Sequence, residues 1–205
     1  MDTYYYFAPK DRKLRYDDGR KIEVGVTHKV DPPIGLCQHG LHASRRAINA
    51  LKHAPGPVIC IVGLSGKIID GYDKSCATKR TYLEVFDGMD LLSEFARKCA
   101  LDVINKWGAP SVVRQYLETG DKTIQADAKY AAYRRITKIG WEHVIAAANS
   151  AYSAIIAETI TDIKSAIGDA FWATEPTTIW TNARVKQNVR LERMIYERLK
   201  EKNYG

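Results

Sequence analysis

The chain has 205 residues, with 31 lysines and arginines against 24 aspartates and glutamates, and a formal net charge of +7. This length can bury a hydrophobic core without disulfides, in one domain or in two small ones. No apolar run reaches the roughly 18 to 20 residues that span a bilayer, so a membrane protein is not expected. The basic charge favours anionic partners, but it is spread over both halves, so nucleic-acid binding is not expected.

Four cysteines are scattered without paired spacing, and no secretory leader precedes the first aromatic residues. We therefore expect free thiols in a reducing cytoplasm. Cys37, His39 and His42 offer three metal ligands within six positions, but no second paired motif supplies a fourth. A turn with ordinary polar histidines is favoured and no metal is predicted, with zinc left open as the alternative.

Alternating and β-branched residues predict a mostly β domain over residues 1 to 88 with one short helix, the first half of an α+β protein. Predicted strands cover Thr3 to Pro9, Val58 to Ile69 and Thr78 to Asp87. The continuous apolar start of the second strand predicts burial on both faces.

A hairpin and a short helix complete the predicted elements of the first half. An Asp-Asp-Gly sequence predicts a hairpin within Lys10 to Val30, and a pair of prolines then ends any regular structure. Ser44 is placed to cap the N-terminus of a helix that ends before Pro55.

From Asp90 the apolar period changes from two to about 3.6, which predicts a helical domain over residues 89 to 205. Helices are predicted for Asp90 to Trp107, for SVVRQYLETG, for Asp121 to Ile139 and for Val185 to Lys202. An apolar stripe from Ile145 to Phe171 predicts one long amphipathic helix. Such a helix either bends around the β domain or forms a homo-oligomer along the stripe.

Three clusters offer binding chemistry without a recognised catalytic motif. A turn entering a helix presents backbone N–H groups and basic side chains to an anion. Alternate residues of the third predicted strand share one face, where they form either a pocket wall or an exposed ion pair beside a buried ring. A charged turn places an aromatic ring between arginines, which suits a base and its phosphates. The candidate ligand-binding residues are Arg15, Tyr16, Arg20, His39, His42, Ser44, Arg45, Arg80, Tyr82 and Glu84.

The segments YYFAPKDRKLRY, LCQHGLHAS, ATKRTYL and QNVRLERM together resemble an uncharacterised family of bacteriophage and prophage proteins. The resemblance covers residues 4 to 120 and the final helix. It implies a viral protein in the host-cell cytoplasm and names no activity.

A fainter resemblance is to the ADP-ribosyltransferase fold, carried by the order GLHASRRAINAL, VICIVGLSGKI and TYLEV. His42 stands where that family has a tyrosine, and the opening strand lacks the family's His-Gly pair. The resemblance implies a nucleotide pocket that contains His42 and Glu84, with NAD as the cofactor of a transferase.

Three functions follow as hypotheses. The leading one is a phage anti-defence protein that binds and sequesters an anionic, nucleotide-like host immune signal without a cofactor. The second is an ADP-ribosyltransferase-like enzyme that uses NAD. The third is an inhibitor that binds a host defence protein through the helical half.

Overall fold

The computed structural model describes residues 2–136, 142–174 and 179–204. The chain divides into two compact units, Met1–Met89 and Asp90–Gly205. The first unit contains an antiparallel sheet and one short helix, and the second is helical, so the predicted α+β class is confirmed. No helix in these described ranges combines the length and the apolar character needed to cross a membrane.

Five strands form the sheet of the first unit: β1 (Thr3–Ala8), β2 (Thr27–Lys29), β3 (Leu41–Ala43), β4 (Val58–Asp70) and β5 (Ser75–Asp87). All pairs are antiparallel in the order β1-β4-β5-β2, and β3 pairs with the start of β5. The predicted two-sided burial of the central strand is confirmed from Val58 to Leu64, where every residue is buried.

One face of the sheet carries the core of the first unit. Alternate residues of β4 from Val58 to Leu64 lie on this face, and the segment between β1 and β2 covers it with buried Leu14 and Ile22. The hairpin predicted in that segment is reduced to a single bridge between Lys13 and Lys21. Its apolar residues therefore pack on the sheet, while the polar residues between them form an exposed turn.

The helix of the first unit, α1 (Ala47–Lys52), begins later than a cap at Ser44 predicts. The backbone of Ser44 exchanges two hydrogen bonds with Tyr5, at 2.8 and 2.9 Å. Arg46 is the N-cap residue and makes no capping hydrogen bond with its side chain. The predicted cap is wrong because pairing with β1 satisfies both backbone groups of Ser44 and holds it in an extended conformation.

A β-bulge in β5 changes which side chains share a face. Val62 pairs with Tyr82, whereas the preceding residue of β4 pairs with Glu84, so Leu83 is the extra residue. Paired residues point to the same face and successive residues of a strand alternate. Tyr82 therefore points into the core and Glu84 to the opposite face. The prediction that Glu84 shares a face with Arg80 is wrong.

The second unit contains six helices in its described part: α2 (Met89–Val103), α3 (Ser111–Thr119), α4 (Gln125–Ile136), α5 (Glu142–Ile155), α6 (Ile160–Trp172) and α7 (Ile179–Tyr204). The longest, α7, has 26 residues and begins before the predicted Val185. Short 3-10 turns follow α2 and precede α4. Ile139 and Gly140, predicted to end or bend a helix, lie outside the described residues.

The single long helix predicted from Ile145 to Phe171 is two helices, α5 and α6. The Thr159 hydroxyl accepts a hydrogen bond from the backbone of Asp162, whose carboxylate accepts one from the backbone of Thr159. This capping box begins a new helix and divides the apolar stripe. The two helices pack together, and Ser150 Oγ donates to the Ala166 carbonyl at 2.7 Å. Homo-oligomerisation along the stripe stays a prediction.

Candidate functional site

A cavity of about 640 Å³ opens on the first unit, a volume in the range of small-molecule sites. Residues Tyr5 to Phe7 of β1, the turn after Leu14, the stretch from Cys37 to Ser44 and Arg80 of β5 line it. The structure brings together six of the ten predicted ligand-binding residues at this cavity: Arg15, Tyr16, His39, His42, Ser44 and Arg80.

Arg80 is a charged residue at the cavity with only 2% of its surface exposed. Its Nη1 donates to the His42 carbonyl at 2.6 Å, and its Nε and Nη2 both donate to the Tyr82 hydroxyl, at 3.2 and 2.7 Å. The guanidinium carbon lies 3.8 Å from the centre of the Tyr6 ring. Among the described residues no carboxylate pairs with Arg80. Its positive charge is therefore held by neutral groups alone.

Two buried polar residues, Tyr82 and His28, form a hydrogen-bonded layer next to Arg80. The Tyr82 hydroxyl lies 3.0 Å from Nδ1 of His28, and both side chains are buried. Since the hydroxyl oxygen accepts from Arg80, its proton is left to donate to a neutral His28. Burial lowers the pKa of His28, and Arg20 and Arg80 lower it further. Burial also raises the pKa of Tyr82 to about 12. Both groups therefore stay neutral around the guanidinium.

His42 shapes the cavity wall through both of its ring nitrogens. Its Nε2 accepts a hydrogen bond from the backbone N–H of Cys37 at 3.2 Å, so its Nδ1 carries the proton and donates to the Gly40 carbonyl at 3.1 Å. Burial lowers the pKa of His42, and the nearby charges of Lys74 and Arg80 lower it further. The neutral ring is hydrogen-bonded to the backbone of Cys37 and Gly40, so it holds the loop before β3 in place.

His39 is held in the same loop by partners other than those of His42. Its Nε2 lies 3.0 Å from the Asp31 carbonyl, and its own carbonyl accepts a hydrogen bond from Cys76 Sγ at 3.3 Å. Cys37, His39 and His42 do not converge on one point. No group of three metal-ligating side chains forms anywhere in the described part of the chain.

Two predicted arginines have structural partners and do not line the cavity. Arg20 pairs with both carboxylate oxygens of Asp18 at 2.6 Å and donates to the Lys29 carbonyl at 2.9 Å. Arg45 pairs with Asp2 at 2.9 Å. Both arginines have a carboxylate partner and lie outside the cavity lining, so their role as ligand-binding residues stays a prediction.

Tyr82 and Glu84 complete the predicted set, and neither lines the cavity. Tyr82 is fully buried and acts through Arg80, whereas Glu84 lies on the opposite face of the sheet. Glu84 therefore does not line the cavity beside His42, and the transferase hypothesis stays a prediction.

Several residues of the site were missed, among them His28, Tyr6 and Lys74. A signal existed for His28, because it lies two residues from both Val26 and Val30 and therefore shares their face of the strand. The side chains of Val26 and Val30 both pack against the core. Tyr6 lies in a predicted strand among three consecutive tyrosines, with no sequence signal that separates it from its neighbours. Lys74 lies in a turn, where no period reports the direction of a side chain.

The cavity carries an excess of positive charge. Arg15, Lys74 and Arg80 line it together with three histidines, against one acidic residue, Asp18, which pairs with Arg20. Neither Arg15 nor Lys74 has a carboxylate partner among the described residues. An anion entering the cavity therefore meets cations that no acidic side chain neutralises.

Comparisons with protein-family models, with curated proteins and with solved structures found no match. The chemistry of the cavity therefore has to be inferred from its own residues.

Proposed function

We propose that the first unit binds an anionic, nucleotide-like small molecule in this cavity and that the protein acts by sequestration, as a phage accessory protein would against a host immune signal. The observation that carries the proposal is Arg80, a buried cation at the cavity whose partners are all neutral. A ligand phosphate supplies the negative charge that the protein itself does not place there.

The physical reason is the cost of burying a charge. An arginine cannot lose its proton in a protein, so a buried guanidinium keeps its full charge and its desolvation cost. Three of its five N–H groups donate to Tyr82 and His42, and the Tyr6 hydroxyl is a further neutral partner. A guanidinium pairs with phosphate oxygens through the N–H groups that its neighbours leave open. The preformed arrangement therefore suits a phosphate or a carboxylate.

The surroundings of Arg80 favour a ligand larger than inorganic phosphate. Lys74 and Arg80 both lie close enough to His42 to lower its pKa, and Arg15 and Arg80 both act on the Tyr6 hydroxyl. Positive charge therefore extends beyond Arg80 to Lys74 and Arg15, which also line the cavity. A ligand with a phosphate at Arg80 and further polar groups toward the rim contacts more of these positive charges than inorganic phosphate does.

Binding without turnover agrees with the state of the polar groups. Both nitrogens of His42 are occupied, and Glu84 lies on the other face of the sheet. The two residues that the transferase hypothesis assigns to a pocket are thus not placed for proton transfer or for polarising a ribose. Capture of an intact ligand is the function that this geometry supports best.

The proposal is tested by titrating purified protein with a panel of cyclic mononucleotides, cyclic dinucleotides, ADP-ribose and NAD. We expect heat on mixing and a rise in melting temperature with at least one member, since a ligand that binds the native state stabilises it. Chromatography of the mixture after denaturation should return that ligand chemically unchanged. Absence of binding by every member would defeat the proposal, and conversion of NAD would favour the transferase instead.

A further inference from the structure

Tyr16 is a fully exposed aromatic residue at the rim of the cavity. Its relative exposure is 99%, yet it is one of the residues that line the opening. Its φ angle is 60°, and Asp17 after it has the same value. Left-handed backbone is unfavourable for a residue with a bulky side chain. The fold therefore holds Tyr16 outward at a conformational cost and without burying its ring.

The turn that presents Tyr16 is closed on both sides. The backbone N–H of Leu14 donates to the Arg20 carbonyl at 3.0 Å, and that of Gly19 donates to the Leu14 carbonyl at 3.3 Å. Leu14 is buried in the core, and Arg20 is tied to both oxygens of Asp18. These contacts fix the base of the turn, so the backbone of Tyr16 is held beside Arg15 at the cavity opening while its ring projects into solvent.

We infer that Tyr16 is the residue that recognises the ligand's ring, so the ligand class is nucleotides whose base stacks on Tyr16 while a phosphate binds Arg80. This inference rests on the proposed function. Every nucleobase has a flat face that stacks on an aromatic side chain, and sugar phosphates have none. The site therefore selects nucleotides over sugar phosphates, and Arg80 alone does not make this distinction.

The test is isothermal titration of the full chain with AMP, ADP-ribose and a cyclic dinucleotide, each compared with ribose 5-phosphate. The wild-type protein should bind at least one nucleotide more tightly than ribose 5-phosphate. Tyr16→Ala should weaken that nucleotide about 5- to 150-fold, as expected for losing one base–aromatic stack. The affinity for ribose 5-phosphate should not change, because it has no ring to stack.

Two further variants separate stacking from other effects. Tyr16→Phe keeps the ring and should bind as wild type. Tyr72→Ala is the matched control, because Tyr72 is equally exposed at 106% but lies in the β4–β5 turn and does not line the cavity. It should leave every affinity unchanged.

Each outcome separates the two proposals. If Tyr16→Ala leaves the nucleotide affinity unchanged, or weakens ribose 5-phosphate equally, the role of Tyr16 is refuted while the anion site remains. If neither the nucleotides nor ribose 5-phosphate bind wild-type protein, the proposed function fails and this inference fails with it.

Discussion

Replacing Arg80 by methionine separates a ligand-binding role from a structural one. Methionine has no charge and fills the space of the Arg80 aliphatic stem without donating hydrogen bonds. The His42 carbonyl then loses its donor, while the Tyr82 hydroxyl keeps His28 as a partner. We expect this variant to lose most of its ligand affinity and little of its stability.

The magnitudes follow from opposing contributions to the free energy of unfolding. Leaving the His42 carbonyl without a partner costs about 1 to 3 kcal/mol, and losing the contact of the guanidinium with the Tyr6 ring costs about 1 to 2 kcal/mol. Removing an uncompensated buried charge gains several kcal/mol of desolvation. These contributions nearly cancel, so the free energy of unfolding should change by less than about 2 kcal/mol.

Ligand affinity has no such compensation. A charge-assisted hydrogen bond contributes about 1.5 to 3 kcal/mol, so the variant should bind about 10- to 150-fold more weakly. Calorimetric titration with the tightest nucleotide of the panel measures the affinity, and urea unfolding measures the stability. Arg45→Met is the control, because Arg45 pairs with Asp2 away from the cavity. Wild-type affinity in Arg80→Met, or a stability loss above about 4 kcal/mol, would refute the reasoning.

Three further predictions concern the residues around the cavity. Because burial lowers the pKa of His42 below 6.5, the unfolded chain takes up the proton first and stability should fall as the pH drops below about 6.5; His42→Gln should flatten this fall in melting temperature. Gly40→Ala should lower the melting temperature more than Gly25→Ala, since both have positive φ but only at Gly40 does a new Cβ meet Cys76 Sγ; equal shifts would contradict this. Glu84→Ala should leave nucleotide affinity unchanged in titrations, and a large loss would return Glu84 to the site.

Much of the secondary structure was predictable because apolar periodicity reports which face of an element is buried. The burial of Leu92, Phe95 and Cys99 on α2 follows directly from their spacing. The break between α5 and α6 was missed because the apolar stripe continues across it. Thr159 and Asp162 carry the signal for that break, a capping box three residues apart.

The site was harder to predict because its geometry depends on tertiary pairing. The candidates His42 and Arg80 are 38 positions apart, and β3 brings them together by pairing with β5. Alternation placed Glu84 beside them, but the bulge at Leu83 reverses the alternation and no residue there marks a bulge. Arg20 was a candidate by residue type, and its pairing with Asp18 and its position outside the cavity lining depend on the tertiary structure.

Two kinds of departure from local rules occur at the cavity of the first unit. Tyr16 and Cys37 have positive φ without being glycine and line the cavity, whereas Arg12 and Asp17 share this backbone conformation and do not line it. Arg80 is a buried charge among neutral partners at the same cavity. Natural sequences violate local preferences mainly where function requires it, because each violation lowers stability. The proposed ligand, which carries both a negative charge and a flat ring, would account for a backbone cost at Tyr16 and a charge cost at Arg80 in the same cavity.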